Sequence, residues 1–159
     1  MTGLSLRAMT AEEMADYRTQ LETGYVRQQV DLGGYSEADA AERARTSLAE
    51  LWPDGGPADG HHLMVGEVDG TPVGRLWLAQ EAKPPAVPGQ AWIFDIEVDE
   101  AARGRGHGRG LMQAALEKAR ELGCTSLGLN VFGGNDVAIK LYQSLGFRTR
   151  AMQMSRTLS

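Results

Sequence analysis

The chain has 159 residues, the size of one globular domain of ordinary length. Hydrophobic residues amount to 42% and charged residues to 23%, close to the average of globular proteins, so neither a disordered nor a membrane protein is the default expectation. Lys and Arg total 16 against 21 Asp and Glu, so the net charge of -5 offers no general attraction to nucleic acid and suits basic substrates better. We therefore predict a single domain over residues 1–159.

The sequence lacks the patterns of export and of membrane insertion. Residues 1–14 contain neither a basic region nor an apolar run, and no stretch approaches the ~18 apolar residues that a membrane span requires. We expect a cytoplasmic protein without a membrane partner. Cys124 is the single cysteine, which excludes an internal disulfide and a thiolate metal cluster. His61, His62 and His107 do not complete a ligand set with it, so no metal is expected.

A short strand and two helices are predicted in the first third of the chain. Residues 4–9 read as a strand, and Thr10, with a glutamate three residues later, opens a helix that we expect to reach about residue 30. Ser36 repeats the capping pattern and begins a second helix, which ends before Pro53.

Strands are predicted in the middle of the chain. Residues 62–68 and 72–79 flank the pair Asp69 and Gly70, which supplies the positive φ angles of a tight hairpin turn. A third strand follows at residues 91–98. The three segments predict an antiparallel hairpin joined to one further strand.

The last third of the chain alternates helix and strand. An apolar stripe that starts at Leu111 predicts a helix ending at Gly123, and residues 126–132 predict a strand. Asn135 is a natural N-cap for a short helix, and residues 147–158 alternate as a last strand. The order β-αα-βββ-α-β-α-β predicts an α/β (α+β) fold with a mixed central sheet flanked by helices.

A glycine-rich stretch, RGRGHGRG at residues 103–110, runs directly into the third predicted helix. A helix N-terminus has unpaired N–H groups and about half a positive charge, and a bound anion satisfies both. No Ser, Thr, Asp or Asn stands before this helix as a cap, and glycines let the backbone approach a ligand closely. The stretch therefore favours a pyrophosphate, with its arginines adding positive charge.

Two familiar phosphate loops do not fit this stretch. The dinucleotide pattern GxGxxG fails because Gly104 and Gly106 are followed by Arg109. In the other register Gly106 and Gly108 are followed by Leu111. The P-loop pattern fails because the chain has no Gly-Lys pair followed by Ser or Thr.

A third pattern fits. Residues 103–108 have the form R-x-x-G-x-G after a strand that ends at Val98, and they resemble the acetyl-CoA loop of the GNAT superfamily of N-acetyltransferases. A second stretch resembles the downstream N-x-x-A-x-x-x-Y…G-F motif of that superfamily, at Asn135, Ala138, Tyr142, Gly146 and Phe147. The resemblance is specific over residues 91–147 and weaker before them.

The resemblance implies a GNAT fold and acetyl-CoA as co-substrate. The central sheet would be mostly antiparallel, and its fourth strand, 93–98, would splay from its fifth, 126–131. The pantetheine arm would pair with backbone groups in that gap, and the pyrophosphate would bind the glycine-rich loop. The implied cofactor-binding residues are Ile96, Val98, Arg103, Gly104, Arg105, Gly106, His107, Gly108, Arg109, Gly110, Asn135 and Tyr142.

Acetyl transfer from a thioester to an amine needs an oriented thioester, a stabilised oxyanion, a neutral amine and a proton for the leaving thiolate. By resemblance, the N–H of Ile96 faces the thioester oxygen, and Tyr142 hydrogen-bonds the departing sulfur. The alternative for Tyr142 is simple packing of the last helix. Asn135 would both cap that helix and contact the pantetheine segment.

The general base is open between two carboxylates and a water chain. Asp95 and Glu97 share one face of the strand at period two, so either one could take the ammonium proton through water or attract a cationic substrate. We name Glu97 as the catalytic candidate and Asp95 as a substrate ligand. The alternative is that both side chains are exposed or bonded to a neighbouring strand.

The acceptor side follows from the resemblance alone. In the superfamily the two early helices wall the acceptor, which implies Glu22 and Tyr25 as substrate ligands, with Tyr35 in the same region and Trp52 and Trp77 adjacent. The predicted function is transfer of an acetyl group from acetyl-CoA to the primary amine of a small molecule or peptide, by direct attack in a ternary complex.

Three other functions are alternatives to acetyl transfer. They are a catalytically silent acyl-CoA sensor, a transferase of a longer acyl group, and a nucleic-acid-binding module that uses the loop arginines. The third predicts a basic stripe on the helix after the loop, and that helix has none. A homodimer paired through the last predicted strand is also left open.

Overall fold

The computed structural model of the chain describes residues 3–53, 56–80 and 87–158, without the side chains of residues 32 and 33. The strands are β1 (Ser5–Ala8), β2 (His61–Val68), β3 (Thr71–Ala79), β4 (Gln90–Val98) and β5 (Ser126–Leu129). The helices are α1 (Ala11–Gly33), α2 (Glu37–Leu51), α3 (His107–Glu121) and α4 (Asp136–Ser144), with a short 3-10 turn at Glu100–Ala102. Among the described residues, every helix is too short or too polar to cross a membrane.

The chain forms two compact units, Met1–Leu129 and Asn130–Ser159. All five strands lie in the first unit, in the order β1-β2-β3-β4-β5. The first three pairings are antiparallel, and β5 runs parallel to β4. The prediction of a mixed sheet flanked by helices is therefore confirmed, and its antiparallel pairs predominate.

Local capping explains where the first helices begin. The Thr10 hydroxyl accepts a hydrogen bond from the N–H of Glu13 at 3.1 Å, and the Glu13 carboxylate accepts one from the N–H of Thr10 at 2.9 Å. The Ser36 hydroxyl accepts from the N–H of Asp39 in the same way at 3.2 Å. These side chains satisfy donors that a helix start leaves unpaired, so both predicted starts are confirmed.

The predicted hairpin is also confirmed. Asp69 and Gly70 connect β2 to β3 with φ angles of 53° and 78°. Two successive left-handed residues give the turn whose twist matches that of the flanking strands. The register continues directly from this turn, with Val68 opposite Thr71.

The core lies on both faces of the sheet. On one face an aromatic cluster of Tyr17, Trp52 and Trp77 joins α1 and α2 to β3. Leu76 and Leu78 alternate with Trp77 along β3 and are fully buried. The helix α3 packs on β3 and β4 with its own buried residues, Leu111, Met112, Ala115 and Ala119.

The predicted last strand is wrong. Residues 147–158 form neither strand nor helix, and Met152, Met154 and Leu158 are exposed. Alternation indicates which face a strand would bury, but it supplies no backbone partner for the strand's N–H and C=O groups. The homodimer itself stays a prediction.

Candidate functional site

A β-bulge lies in the middle of β4, just before Asp95. Trp77 of β3 lies opposite Asp95, whereas the next residue, Leu78, lies opposite Ile93, so Phe94 is an extra residue in β4. The Phe94 ring stacks on Trp77, with the ring centroids 5.0 Å apart. Bulges bend a strand and end regular pairing, and they are common beside active sites.

The strands β4 and β5 part at the same place. Their parallel pairing runs from Gln90 opposite Ser126 to Ile93 opposite Leu129, where β5 ends. The remaining residues of β4, 94–98, continue past that end. This arrangement agrees with the splay that the resemblance implied, and both Ile96 and Val98 lie on the continuing segment.

The glycine-rich loop ends in an unusual helix start. Gly106 is the N-cap of α3 with φ 82°, and Gly104 has φ 78°. A Cβ added at either glycine would meet no atom within 4 Å, so the space beside the loop is open. Within the described part of the chain no side chain caps this helix, and its first turn carries no acidic residue. The first N–H groups of α3 thus retain the anion-binding capacity that the sequence predicted.

The other predicted loop residues lie around this helix start. His107, Gly108, Arg109 and Gly110 form the first turn of α3. The side chains of Arg103, Arg105 and Arg109 are exposed. Gly110 lies against Leu4, the residue before β1, because a Cβ there would be 3.5 Å from the Cβ of Leu4. The positively charged groups of the loop are therefore at the surface, where a phosphate-bearing ligand can reach them.

The two carboxylates of β4 belong to one ion-pair network. The Arg75 Nε donates to Asp95 Oδ2 at 2.8 Å, and its Nη2 donates to Glu97 Oε2 at 2.7 Å. The hydroxyl of Tyr17 donates to Asp95 Oδ2 at 2.5 Å. Arg103 donates from Nη2 to Glu97 Oε1 at 3.0 Å. Arg75 therefore joins Asp95 to Glu97, and Glu97 in turn holds Arg103.

The network perturbs the proton affinity of its buried tyrosine and its half-buried arginine. Burial raises the pKa of Tyr17 well above its ordinary value, and the charge of Asp95 raises it further. Burial would lower the pKa of Arg75, but the hydrogen bond to Asp95 and the charges of Asp95 and Glu97 raise it overall. Tyr17 therefore stays a hydrogen-bond donor and Arg75 stays a cation over the working pH range.

Sequence reasoning missed Arg75 and Tyr17 as members of the site. The available signal for Arg75 was a cation in the middle of an apolar strand, PVGRLWLA, because buried charges are almost always paired. For Tyr17 there was no signal beyond its place in the apolar stripe of α1. Its ring is only 3% exposed, as a core residue should be, and only the fold directs its hydroxyl to Asp95.

The acceptor-side candidates occupy different environments. Tyr25 and Tyr35 line a cleft of about 510 Å³ between α1 and α2, together with Asp39, Glu42, Arg43, Thr46 and Ser47. The Arg43 guanidinium lies over the Tyr35 ring, 4.4 Å from its centroid. Glu22 is half-buried on α1.

The two tryptophans expected beside the acceptor are core residues instead. Trp52 is 2% exposed and Trp77 is 3% exposed, and their rings pack edge to face. Their apolar bodies fill the space between the early helices and the sheet, so this expectation was wrong.

The second unit carries the other motif. Asn135 is the N-cap of α4, and its Oδ1 accepts a hydrogen bond from the N–H of Ala138 at 3.2 Å. Tyr142 lies on α4, half-buried, with its ring centroid 5.9 Å from that of Phe147. The capping part of the Asn135 prediction is confirmed.

The chain matches the Acetyltransferase (GNAT) family over residues 18–147. It is 30% identical to the uncharacterized N-acetyltransferase YdgE of Bacillus subtilis over 98% of this chain and 99% of that one. The crystal structure of the uncharacterized N-acetyltransferase YycN from Bacillus subtilis matches with a TM-score of 0.85 and 30% identity, covering 98% and 99% of the two chains. The mycothiol acetyltransferase of Sanguibacter keddieii is 33% identical over 97% of this chain and 47% of its own length.

The chain therefore belongs to the GNAT family of acetyltransferases, and it is an acyltransferase. The fold of this family binds acetyl-CoA. The uncapped helix start, its open glycines and the parting of β4 from β5 fit such a ligand, which presents a pyrophosphate and an amide-bearing arm.

Proposed function

We propose that the protein transfers the acetyl group of acetyl-CoA to a primary amine of a small molecule or peptide, by direct attack in a ternary complex. The observation that carries the proposal is the uncapped start of α3 behind two left-handed glycines. Its N–H groups and the positive end of the helix suit a pyrophosphate. Because the chain belongs to the GNAT family, we take acetyl-CoA to be the ligand that carries this pyrophosphate.

Acetyl-CoA is held, in this proposal, by the loop and by the free end of β4. Backbone N–H groups of residues 104–110 and the guanidinium groups of Arg103, Arg105 and Arg109 bind the phosphates. Backbone groups of Ile96 and Val98 pair with the pantetheine arm, and Asn135 contacts the same arm. The bound group supplies an activated acetyl thioester. The N–H of Ile96 stabilises negative charge on the thioester oxygen without reorganising, because backbone donors are fixed before the reaction.

Two side chains handle protons in the proposal. Glu97 accepts a proton from the incoming ammonium group, directly or through water, and Tyr142 donates a proton or a hydrogen bond to the departing thiolate. Asp95 stays bonded to Tyr17 and Arg75 and contributes negative charge that attracts the amine. Arg75 holds both carboxylates and so positions Glu97.

Charge on the acceptor side supports an amine rather than an acid as the acceptor. The cleft beside Tyr25 has two carboxylates, Asp39 and Glu42, against one arginine, and Glu22 adds another carboxylate on α1. Exposed aromatic rings beside carboxylates favour cations. The relative named mycothiol acetyltransferase supports a small-molecule acceptor.

The direct test measures free-thiol release from acetyl-CoA against a panel of polyamines, amino acids, aminoglycosides and peptides. We expect release with at least one amine and acetylation of that amine by mass spectrometry. Measurable CoA binding without release for any acceptor would instead indicate the acyl-CoA sensor. Succinyl-CoA run in parallel tests the longer-acyl alternative.

Two variants test the assigned roles. We expect Tyr142→Phe to lower kcat more than affinity for acetyl-CoA, and an unchanged kcat would remove the assignment. We expect Glu97→Gln to move the pH–rate profile to higher pH, because the amine must then lose its proton to bulk water. Glu67→Gln is the matched control, since Glu67 is also an ion-paired strand glutamate, bound by Arg7. An unaltered profile for Glu97→Gln would leave Glu97 a structural role.

A further inference from the structure

The side chain of Arg103 lies across the end of β4. Its Nη2 donates to Glu97 Oε1 at 3.0 Å, and its Nε donates to the carbonyl oxygen of Val98 at 3.1 Å. Glu97 is the proposed base and Val98 is a proposed partner of the pantetheine arm. Arg103 itself is a proposed phosphate ligand, and the Nε/Nη2 edge of its guanidinium, which can bind a phosphate in a bidentate manner, is occupied by these two partners.

Breaking the ion pair between Arg103 and Glu97 costs little free energy. The side chain of Arg103 is 54% exposed and that of Glu97 is 43% exposed, and exposed ion pairs stabilise weakly because water solvates both charges. Glu97 is not left unpaired when Arg103 departs, since Oε2 keeps its bond to Arg75 at 2.7 Å. The carbonyl of Val98 would pass to the pantetheine arm.

The phosphates offer Arg103 a stronger partner than one carboxylate. A pyrophosphate carries more negative charge, and guanidinium groups bind phosphate oxygens in a bidentate manner. Arg103 directly precedes Gly104, the first residue of the glycine-rich turn that leads into α3.

We propose that Glu97 and the phosphates of acetyl-CoA compete for Arg103. Binding of acetyl-CoA draws the guanidinium from β4 to the phosphates, and this movement frees Glu97 Oε1 and the Val98 carbonyl together. The proposal rests on the proposed function. Its consequence is an order of events: the carboxylate becomes available to the amine only after the cofactor has bound.

Competition has a measurable signature in CoA affinity. Removing the Glu97 charge should tighten CoA binding, because Arg103 no longer has to leave a partner. An exposed ion pair contributes about 0.2–1 kcal/mol, which corresponds to a roughly 1.5- to 5-fold lower Kd. General loss of a negative charge near an anion site would also tighten binding, and a double-mutant cycle separates the two effects.

The experiment is calorimetric titration of CoA into the parent protein, Glu97→Gln, Arg103→Gln and the double variant, at fixed low salt. We expect Glu97→Gln to tighten binding more in the parent than in the Arg103→Gln background, where only the general loss of negative charge acts. Glu67→Gln is the control, because it neutralises one glutamate in another arginine pair. It should change the Kd less than Glu97→Gln does. Thermal unfolding of each variant checks that the fold is retained.

Two results would overturn the competition. If Glu97→Gln lowered the Kd for CoA equally with and without Arg103, the effect would come only from the loss of a negative charge near the phosphates and not from competition for Arg103. No tightening in the parent would mean that Arg103 does not leave Glu97. Failure of the parent to bind CoA is a different result, because it contradicts the proposed function itself.

Discussion

Replacing Gly74 by alanine should destabilise the protein at the point where β3 supports the site. Gly74 pairs with Val98, and an added Cβ would lie 2.5 Å from the carbonyl oxygen of Glu97 and 3.2 Å from the Cα of Val98. It would also lie 3.1 Å from Cδ2 of Leu111 in α3. Two of these three neighbours are backbone, so they cannot turn aside as a side chain does.

The magnitude follows from overpacking. Inserting one carbon into a packed core costs roughly 1–3 kcal/mol, and a backbone neighbour at such a distance puts the cost in the upper half of that range. In a domain of this size that loss lowers Tm by about 2–4 °C per kcal/mol. Urea denaturation followed by tryptophan fluorescence measures it, because Trp52 and Trp77 are buried in the core.

Gly24 provides the matched control. It lies inside α1, where an added Cβ meets nothing within 4 Å, so Gly24→Ala should stabilise the protein by about 0.4–1 kcal/mol. A Gly74→Ala variant that unfolds within about 0.5 kcal/mol of the parent would refute the close approach of β3, β4 and α3, since that is the effect of an ordinary surface change.

Three further predictions concern local contacts. Tyr17→Phe should cost about 1–2 kcal/mol of unfolding free energy, because Asp95 loses one donor but keeps Arg75; an unchanged urea midpoint would contradict the hydrogen bond. Asn135→Ala should lower the free energy of unfolding by about 1 kcal/mol, whereas Asn135→Ser should retain the cap and most of that stability. Because the serine variant keeps the cap, a loss of its CoA affinity would indicate that Asn135 contacts the ligand, and an unchanged affinity would contradict that role. The pKa of Glu13 is lowered from 4.5 to about 2, first by its hydrogen bonds from Arg7, so its stabilisation is present above about pH 4.5 and is lost as the pH falls towards 2. Glu13→Gln should remove that part of the acid-denaturation curve, and an unchanged curve would contradict it.

Much of the fold was predictable because its determinants are local. The capping box at Thr10 and the hairpin at Asp69 and Gly70 depend on a few adjacent residues, and the structure confirms them. The loop before α3 was equally readable, since left-handed glycines and a missing cap are properties of a short segment. The last strand failed because a strand needs a partner, which alternation does not specify.

The contacts between the residues of the site were harder to predict than the identity of its carboxylates. Period two correctly grouped Asp95 with Glu97, but the extra residue in β4, Phe94, also contacts the aromatic cluster on that face. A bulge depends on how the neighbouring strand is paired, and that pairing is not written in β4 itself. Arg75 reaches both carboxylates only because the antiparallel register sets it opposite Glu97.

The sequence by itself determined the types of the helices and of the first five strands, the first two helix starts, the hairpin and a glycine-rich loop whose motif resembles that of GNAT acetyltransferases. Each of these depends on backbone conformations and hydrogen bonds within a few residues. Only the tertiary structure decided that Tyr17 and Arg75 hold the β4 carboxylates, that the two tryptophans are core residues, and that Arg103 lies on Glu97. These contacts join residues far apart in the chain, so they depend on strand register and helix packing that no single segment encodes.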